Sequence, residues 1–267
     1  QHEVLAGSGS RLRFRHDGLR EALLEGIERG RRRRLHLEVG RLLAAEEGGG
    51  RAGEEEIGWH LLAGGEELRG ARLLHRAARR HIAAQCYSEA VAPLEAALEV
   101  YQRRRGPPGV CAAIRQDLVR AGVIARRKVA LRHGTTAIAE LHRFAGLGLF
   151  RALRRYIGGH LALLVALLVA GLRWLLSRPS RRGQNPVLAL ARYVAMVNYV
   201  TAARALSLDI PGVRQMPRLL EPICTLFDDW LPMGSLLLCR NFELILTGRW
   251  RRAADNARRM LEIERNS

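Results

Sequence analysis

The chain has 267 residues, 44 Lys+Arg against 26 Asp+Glu, and a formal net charge of +18; 48% of its residues are hydrophobic. That apolar share excludes a disordered chain, and the length accommodates one or two domains with a substantial core. Aromatics are only 5% while Ala, Leu and Arg dominate, which argues for helices and against an all-β fold. Lys128 is the only lysine; the other basic residues are arginine. This bias fits GC-rich coding as well as a basic surface, so charge alone names no partner. By segment, residues 1–105 carry 19 basic and 16 acidic side chains, residues 106–183 carry 14 and 2, and residues 184–267 carry 11 and 8. The middle segment therefore holds two-thirds of the excess.

The chain starts at Gln1, and Gln1–Gly7 has no signal-peptide pattern, so it is expected to begin inside a longer protein. Cys86, Cys111, Cys224 and Cys239 form no C-x-x-C pair and sit in apolar helical patterns, which fits buried thiols in a reducing cytoplasm. Glu3-Val4-Leu5, the turn-forming Gly7–Ser10 and the alternating Arg11–His16 predict a β-hairpin. Asp17 is placed to cap a helix from Leu19 to about Glu28, and a second runs from about Arg32 to Glu46 before a glycine-rich break. Helices are predicted at Glu54–Ala63, Glu67–Ala84 and Ser88–Arg105, then from about Val110 to Arg132 and from Thr135 to about Phe144. After the polar linker Arg178–Pro186, the periodicity gives Val187–Leu208, Gln215–Trp230, Met233–Thr247 and Trp250–Glu264.

A repeat emerges when the helical pairs are aligned on their small residues. Ala78, His81, Tyr87, Ala90, Leu94, Ala97 and Leu98 recur in offset as Asn241, Leu244, Trp250, Ala253, Ala257, Met260 and Leu261. An aromatic opens the second helix, and a small residue three positions later allows close approach of its partner. This spacing resembles the tetratricopeptide repeat, with Ala78, Tyr87, Ala90, Leu94, Ala97, Trp250 and Ala253 as repeat-core positions. On this reading Trp59, Tyr87, Tyr101 and Trp250 are mostly core.

The run Leu12-Arg-Phe14-Arg-His16-Asp-Gly-Leu19-Arg20-Glu21-Ala-Leu23, followed by Arg33-Arg34-Leu35-His36, resembles a signature of STAND-type signalling ATPases. That family includes maltose-regulator-like transcription activators and bacterial multidomain Ser/Thr kinases or adenylate cyclases with a fused ATPase. The resemblance covers roughly residues 3–105. It implies that Phe14, His16, Leu19, Arg20, Glu21, Leu35 and His36 belong to the end of a winged-helix module. Tetratricopeptide-like helices would follow as a sensor or docking arm, with ATP and Mg bound only by a domain upstream.

The expected fold is all-α: a superhelical array of tetratricopeptide-like helical hairpins behind a short N-terminal β-hairpin from a winged-helix remnant. Its segments are 1–46 (the winged-helix part), 54–105 (helical hairpins), 106–183 (a basic segment with an apolar helix) and 184–267 (further repeats). No P-loop, kinase catalytic loop or G-x-S-x-G elbow occurs in the chain. His75 and His81 are six apart, and His133 and His142 nine apart, so neither pair has ligand spacing on one helix face. Asp228-Asp229 and Glu54–Glu56 read as helix-end charges, not a catalytic dyad. No catalytic, cofactor or metal site is expected in this chain. Arg31–Arg34 reads as a solvated helix face, making nucleic acid an unfavoured partner.

Leu161–Leu172 is apolar on every side and spans only about 18 Å as a helix, short of a membrane core of about 30 Å. Extension to 156–176 gives the length but includes His160 and Arg173, and arginines lie at both ends with no inside–outside asymmetry. The expectation is a repeat helix buried between neighbours; the alternatives are a membrane-anchored regulator using 156–176 and a nucleic-acid-binding module formed by the Arg-rich centre. Together these readings predict a cytoplasmic, non-catalytic arm that binds a partner protein or small effector and acts on ATPase or kinase domains in cis.

Overall fold

The computed structural model describes residues 5–8, 11–14, 26–45, 53–224, 226 and 230–266. These residues are overwhelmingly helical, consistent with the all-α expectation and compatible with a helical repeat array. The chain divides into two compact units, Gln1–Ala77 and Ala78–Ser267.

In the first unit, strands β1 (Leu5–Ser8) and β2 (Arg11–Phe14) pair antiparallel, with Leu5 opposite Phe14 and Ser8 opposite Arg11. Helix α1 (Arg29–Ala45) packs on α2 (Gly53–Gly64). Glu54, Glu55 and Glu56 occupy the first turn of α2, where negative charge favours the positive end of the helix dipole. Arg76, on α3 (Glu67–Ala83), reaches Glu54 at 2.6 Å, and Arg41 on α1 reaches Glu66 at 2.7 Å. Both cations are more than half exposed, so these pairs add little stability. Residues 15–25 lie outside the described residues. They include His16, Leu19, Arg20 and Glu21 of the signature, so the winged-helix reading stays with the sequence.

The second unit takes in the end of α3 and ten further helices. These are α4 (Tyr87–Arg103), α5 (Pro108–Ala125), α6 (Arg127–Phe144), α7 (Leu147–Ile157), α8 (Gly159–Leu176), α9 (Pro186–Leu206), α10 (Ile210–Gln215), α11 (Pro217–Cys224), α12 (Trp230–Leu246) and α13 (Trp250–Arg265). Sequence neighbours pack together along α4–α5–α6, in the α7–α8 pair and in the α12–α13 pair. The order then skips. Helix α9 lies mainly on α6 and α12 and only lightly on α8, so the α7–α8 hairpin interrupts a stack that continues directly from α6 to α9.

The core follows that stack. Leu141 from α6, Tyr193, Val197 and Val200 from α9, Leu220 from α11 and Leu236 from α12 are essentially inaccessible to solvent. Asn185 caps α9, its Oδ1 accepting from the amides of Val187 (3.0 Å) and Leu188 (3.4 Å), while Pro186 occupies the first turn. On the far side of α9, Asn198 Nδ2 donates to Ser235 Oγ at 2.9 Å and Cys239 Sγ donates to Asn198 Oδ1 at 3.2 Å, tying α9 to α12 with hydrogen bonds. Arg115 and Glu140 form a mostly buried ion pair between α5 and α6.

Two expected helix boundaries move. The chain breaks at Arg126, whose backbone is extended (φ −147°, ψ 84°), and not near Gly134. Gly134 lies inside α6, where an added Cβ would come within 2.5 Å of Val200 Cγ2. The glycine that falls between the two expected helices is a point of close approach to α9. The expected Gln215–Trp230 helix is also divided, into α11 and the start of α12, with α10 beginning earlier.

Candidate interaction surface and anion cleft

Repeat-core positions are placed as follows. Ala78, Ala90, Leu94 and Ala97 have no exposed surface, Ala253 is buried, and Tyr87 and Tyr101 are half-buried. Trp250, a core position by spacing, is instead 64% exposed at the first turn of α13, and Trp59 on α2 is also exposed. Both aromatics lie beside arginine- or glutamate-rich turns; Trp59 donates its indole N–H to Glu55 Oε1 at 3.3 Å. Of the signature residues, the backbone of Phe14 lies in β2, Leu35 is exposed on α1, and His36 is half-buried with its Nδ1 3.0 Å from Nδ1 of His60. Burial holds His36 below the usual histidine range, helped by the nearby His60 and Arg32.

The expectation that the apolar helix is buried is overturned. Only Ala162, Leu163 and Ala166 of α8 are buried. Leu161, Leu164, Leu168, Leu172 and Leu175 form an outward stripe at three- and four-residue spacing, with Leu168 63% exposed. The physical reason is the direct α6–α9 contact, which leaves α8 with a neighbour on one side only. Two stretches, Gly159–Leu176 and Pro179–Leu206, have the length and composition to cross a membrane, with 17% and 50% of their most apolar 18 residues buried respectively. The second contains the central helix α9.

Glycines with left-handed backbones bracket α7: Gly146 (φ 71°) and Gly158 (φ 77°). Gly158 lets the chain pass from α7 into α8 through a single intervening residue. At Gly146 a Cβ would lie 2.8 Å from the Ala166 carbonyl oxygen, so the α7–α8 hairpin closes only around glycine. After α8 the chain folds back on its own end. Arg182 donates to the carbonyls of Leu175 and Ser177, both at 3.2 Å, and its guanidinium lies 4.8 Å from the Trp174 ring centroid. Trp174 Nε1 in turn donates to the Gly183 carbonyl at 3.1 Å.

This fold-back encloses a cleft of about 230 Å³ on the inner side of α8, lined by Arg143, Arg173, Arg181, Trp174, Ser177 and Gln184 among others. Between Glu140 and Asp209 the chain has ten arginines and no carboxylate. Arg143, Arg173 and Arg181 accordingly have no ion-pair partner among the described residues. Gln184 is only 8% exposed, and neither its Oε1 nor its Nε2 has a hydrogen-bond partner. The signal for this site was present in the acid-free stretch, but nothing in the spacing shows that positions 143, 173, 181 and 184 converge.

Cys224 and Cys239 are buried thiols pushed up to about 12 and about 11 by desolvation, so neither is poised as a nucleophile at neutral pH. Among the described residues no group of three or more His, Cys, Asp or Glu side chains is placed to hold a metal ion. No protein-family profile, curated protein or solved structure matches the chain.

Proposed function

We propose that this chain is a non-catalytic interaction arm of a larger signalling ATPase or ATPase-fused kinase, binding a partner or effector and relaying its occupancy to domains in cis. The observation that supports this most is the stack of helices α4, α5 and α6, packed as sequence neighbours and continued by α9 directly on α6. In such a stack each interface is shared with the next, so a ligand that favours one packing biases its neighbours. The signature around Phe14–Leu23 and Leu35-His36 supplies the link to STAND-type ATPases; the domain limits 1–46, 54–105, 106–183 and 184–267 belong to the same proposal. The complete reading frame is the test. It is expected to encode a nucleotide-binding domain upstream, and a frame with neither ATPase nor kinase removes the reading.

The exposed leucine stripe favours a second reading, attachment to an anionic membrane surface. An α8 of 18 residues is about 27 Å long, and its inner side is held against the core. Lying in the plane of the interface suits both facts better than spanning, and it places the arginines flanking both ends at headgroup level. Vesicle flotation decides this. The chain should float with phosphatidylglycerol vesicles at low salt, and a Leu164→Gln/Leu168→Gln variant should not. Equal recovery of both proteins in the soluble fraction excludes the attachment.

A further inference from the structure

We propose that the cleft between α8 and its fold-back binds an organic phosphate through Arg143, Arg173 and Arg181. This rests on the effector-binding arm proposed above and names the chemistry of its effector. The first support is electrostatic. Three guanidinium groups border one concavity, no carboxylate occurs within the 68 residues from 141 to 208, and none of the three arginines has an ion-pair partner among the described residues. Arg143 lies over the Phe144 ring at 5.4 Å, a contact that uses none of its N–H groups, whereas Arg182 donates to two carbonyls besides facing the Trp174 ring. The cleft arginines therefore retain free donors, and guanidinium forks match the oxygens of a phosphate.

The second support is independent of charge. Gln184 buries a complete amide, an acceptor and two donors, without a partner for its oxygen or nitrogen. Leaving such a group unsatisfied is destabilising, so the position is intelligible when a ligand supplies the missing bonds. The third support is shape. Ala166, Val169 and Ala170 of α8 give the cleft an apolar wall beside the Trp174 ring. A bare inorganic anion has no use for that wall, whereas a phosphate ester of a small apolar group contacts both halves. Such an ester comes either from a free small molecule or from a phospholipid headgroup.

Calorimetric titration of the full chain with phenyl phosphate, inorganic phosphate and phenol tests the site, alongside binding to vesicles with and without phosphatidic acid. Phenyl phosphate is expected to bind more tightly than inorganic phosphate, and phenol not at all. Arg173→Gln and Arg181→Gln should each weaken binding about tenfold, while Arg178→Gln, outside the cleft lining, leaves it unchanged. Gln184→Leu should lower affinity and raise thermal stability together. A structural amide would give the stability change without the affinity change, and that result counts against the cleft. Binding confined to phosphatidic acid vesicles and lost in Arg173→Gln supports the site and assigns the phosphate to a lipid. Absence of binding by every probe, or equal affinity in all variants, overturns the proposal. A missing upstream ATPase would remove the relay reading while leaving these titrations untouched, so the two failures are separable.

Discussion

Helices α8 and α9 are almost alike in composition and opposite in fate. Both are rich in Ala, Val and Leu, and both fall in stretches long and apolar enough to cross a membrane. Ten residues of α9 are buried, among them Tyr193, Val197, Val200 and Thr201, whereas only three of α8 are. The difference is one of neighbours. Helix α9 is enclosed by α5, α6, α10 and α12, while α8 rests on α7 and touches α9 only lightly. Apolar content sets what a helix can bury; connectivity sets how much of it does.

The contrast is broken or sharpened most directly by paired substitutions. Tyr193→Ala removes a fully buried ring whose hydroxyl donates to the Leu219 carbonyl at 3.2 Å, and should cost about 3–5 kcal/mol in denaturant unfolding. Leu168→Ala in α8 should change stability by less than about 0.5 kcal/mol. Comparable losses from the two would mean that α8 is covered. A second pair should differ in sign. Gly134→Ala presses on Val200 and should destabilise by about 1–3 kcal/mol. Gly171→Ala in α8, with nothing within 4 Å of the new Cβ, should stabilise by up to about 1 kcal/mol.

A smaller effect is expected with pH. His142 on α6 lies 6.0 Å, ring centre to ring centre, from Tyr193, and its Nε2 is buried without a partner. Burial, aided by the Arg151 charge, holds it below its ordinary value of 6.5. The unfolded chain therefore takes up this proton first as the pH falls. The stabilising contribution is complete above 6.5 and is lost as the pH drops through the folded value. The melting temperature should decline below pH 6.5, with a shallower slope in His142→Gln. The smallest structural perturbation comes from a thiol reagent at pH 8: only Cys86 is exposed, so one fast-reacting thiol is expected in the native chain and four after denaturation.

The sequence made most helix limits readable where glycine or proline punctuates the chain, as at Gly64-Gly65, Pro107-Pro108, Pro186 and Gly248. It failed where tertiary contact overrides local signals. Arg126 ends a helix with no breaker residue, because α5 must reverse there to lay α6 along its side. The expected break between Arg132 and Thr135 falls inside α6, because periodicity cannot distinguish a helix end from a notch at Gly134 for a neighbouring valine. The burial of α8 was misjudged for a related reason: periodicity shows which residues are apolar, but not that α6 and α9 pair past the intervening hairpin. The cleft was least legible, since its arginines lie up to 38 positions apart and acquire a common purpose only after the chain folds back at Arg182.

The hydrogen bonds joining Asn198, Ser235 and Cys239 bear on how one arrangement of these helices is selected. Apolar packing by itself distinguishes only weakly between the observed register of α9 on α12 and one shifted by a turn, about 5.4 Å. Apolar groups on α9 would still meet apolar groups on α12 after such a slip. The amide of Asn198 would not keep its partners, because Ser235 and Cys239 would no longer lie opposite it, and an unsatisfied amide costs about 1–3 kcal/mol. These hydrogen bonds, together with Thr201 Oγ1 at 3.3 Å from Cys239 Sγ, thus act as a detent that favours one register of α9 on α12.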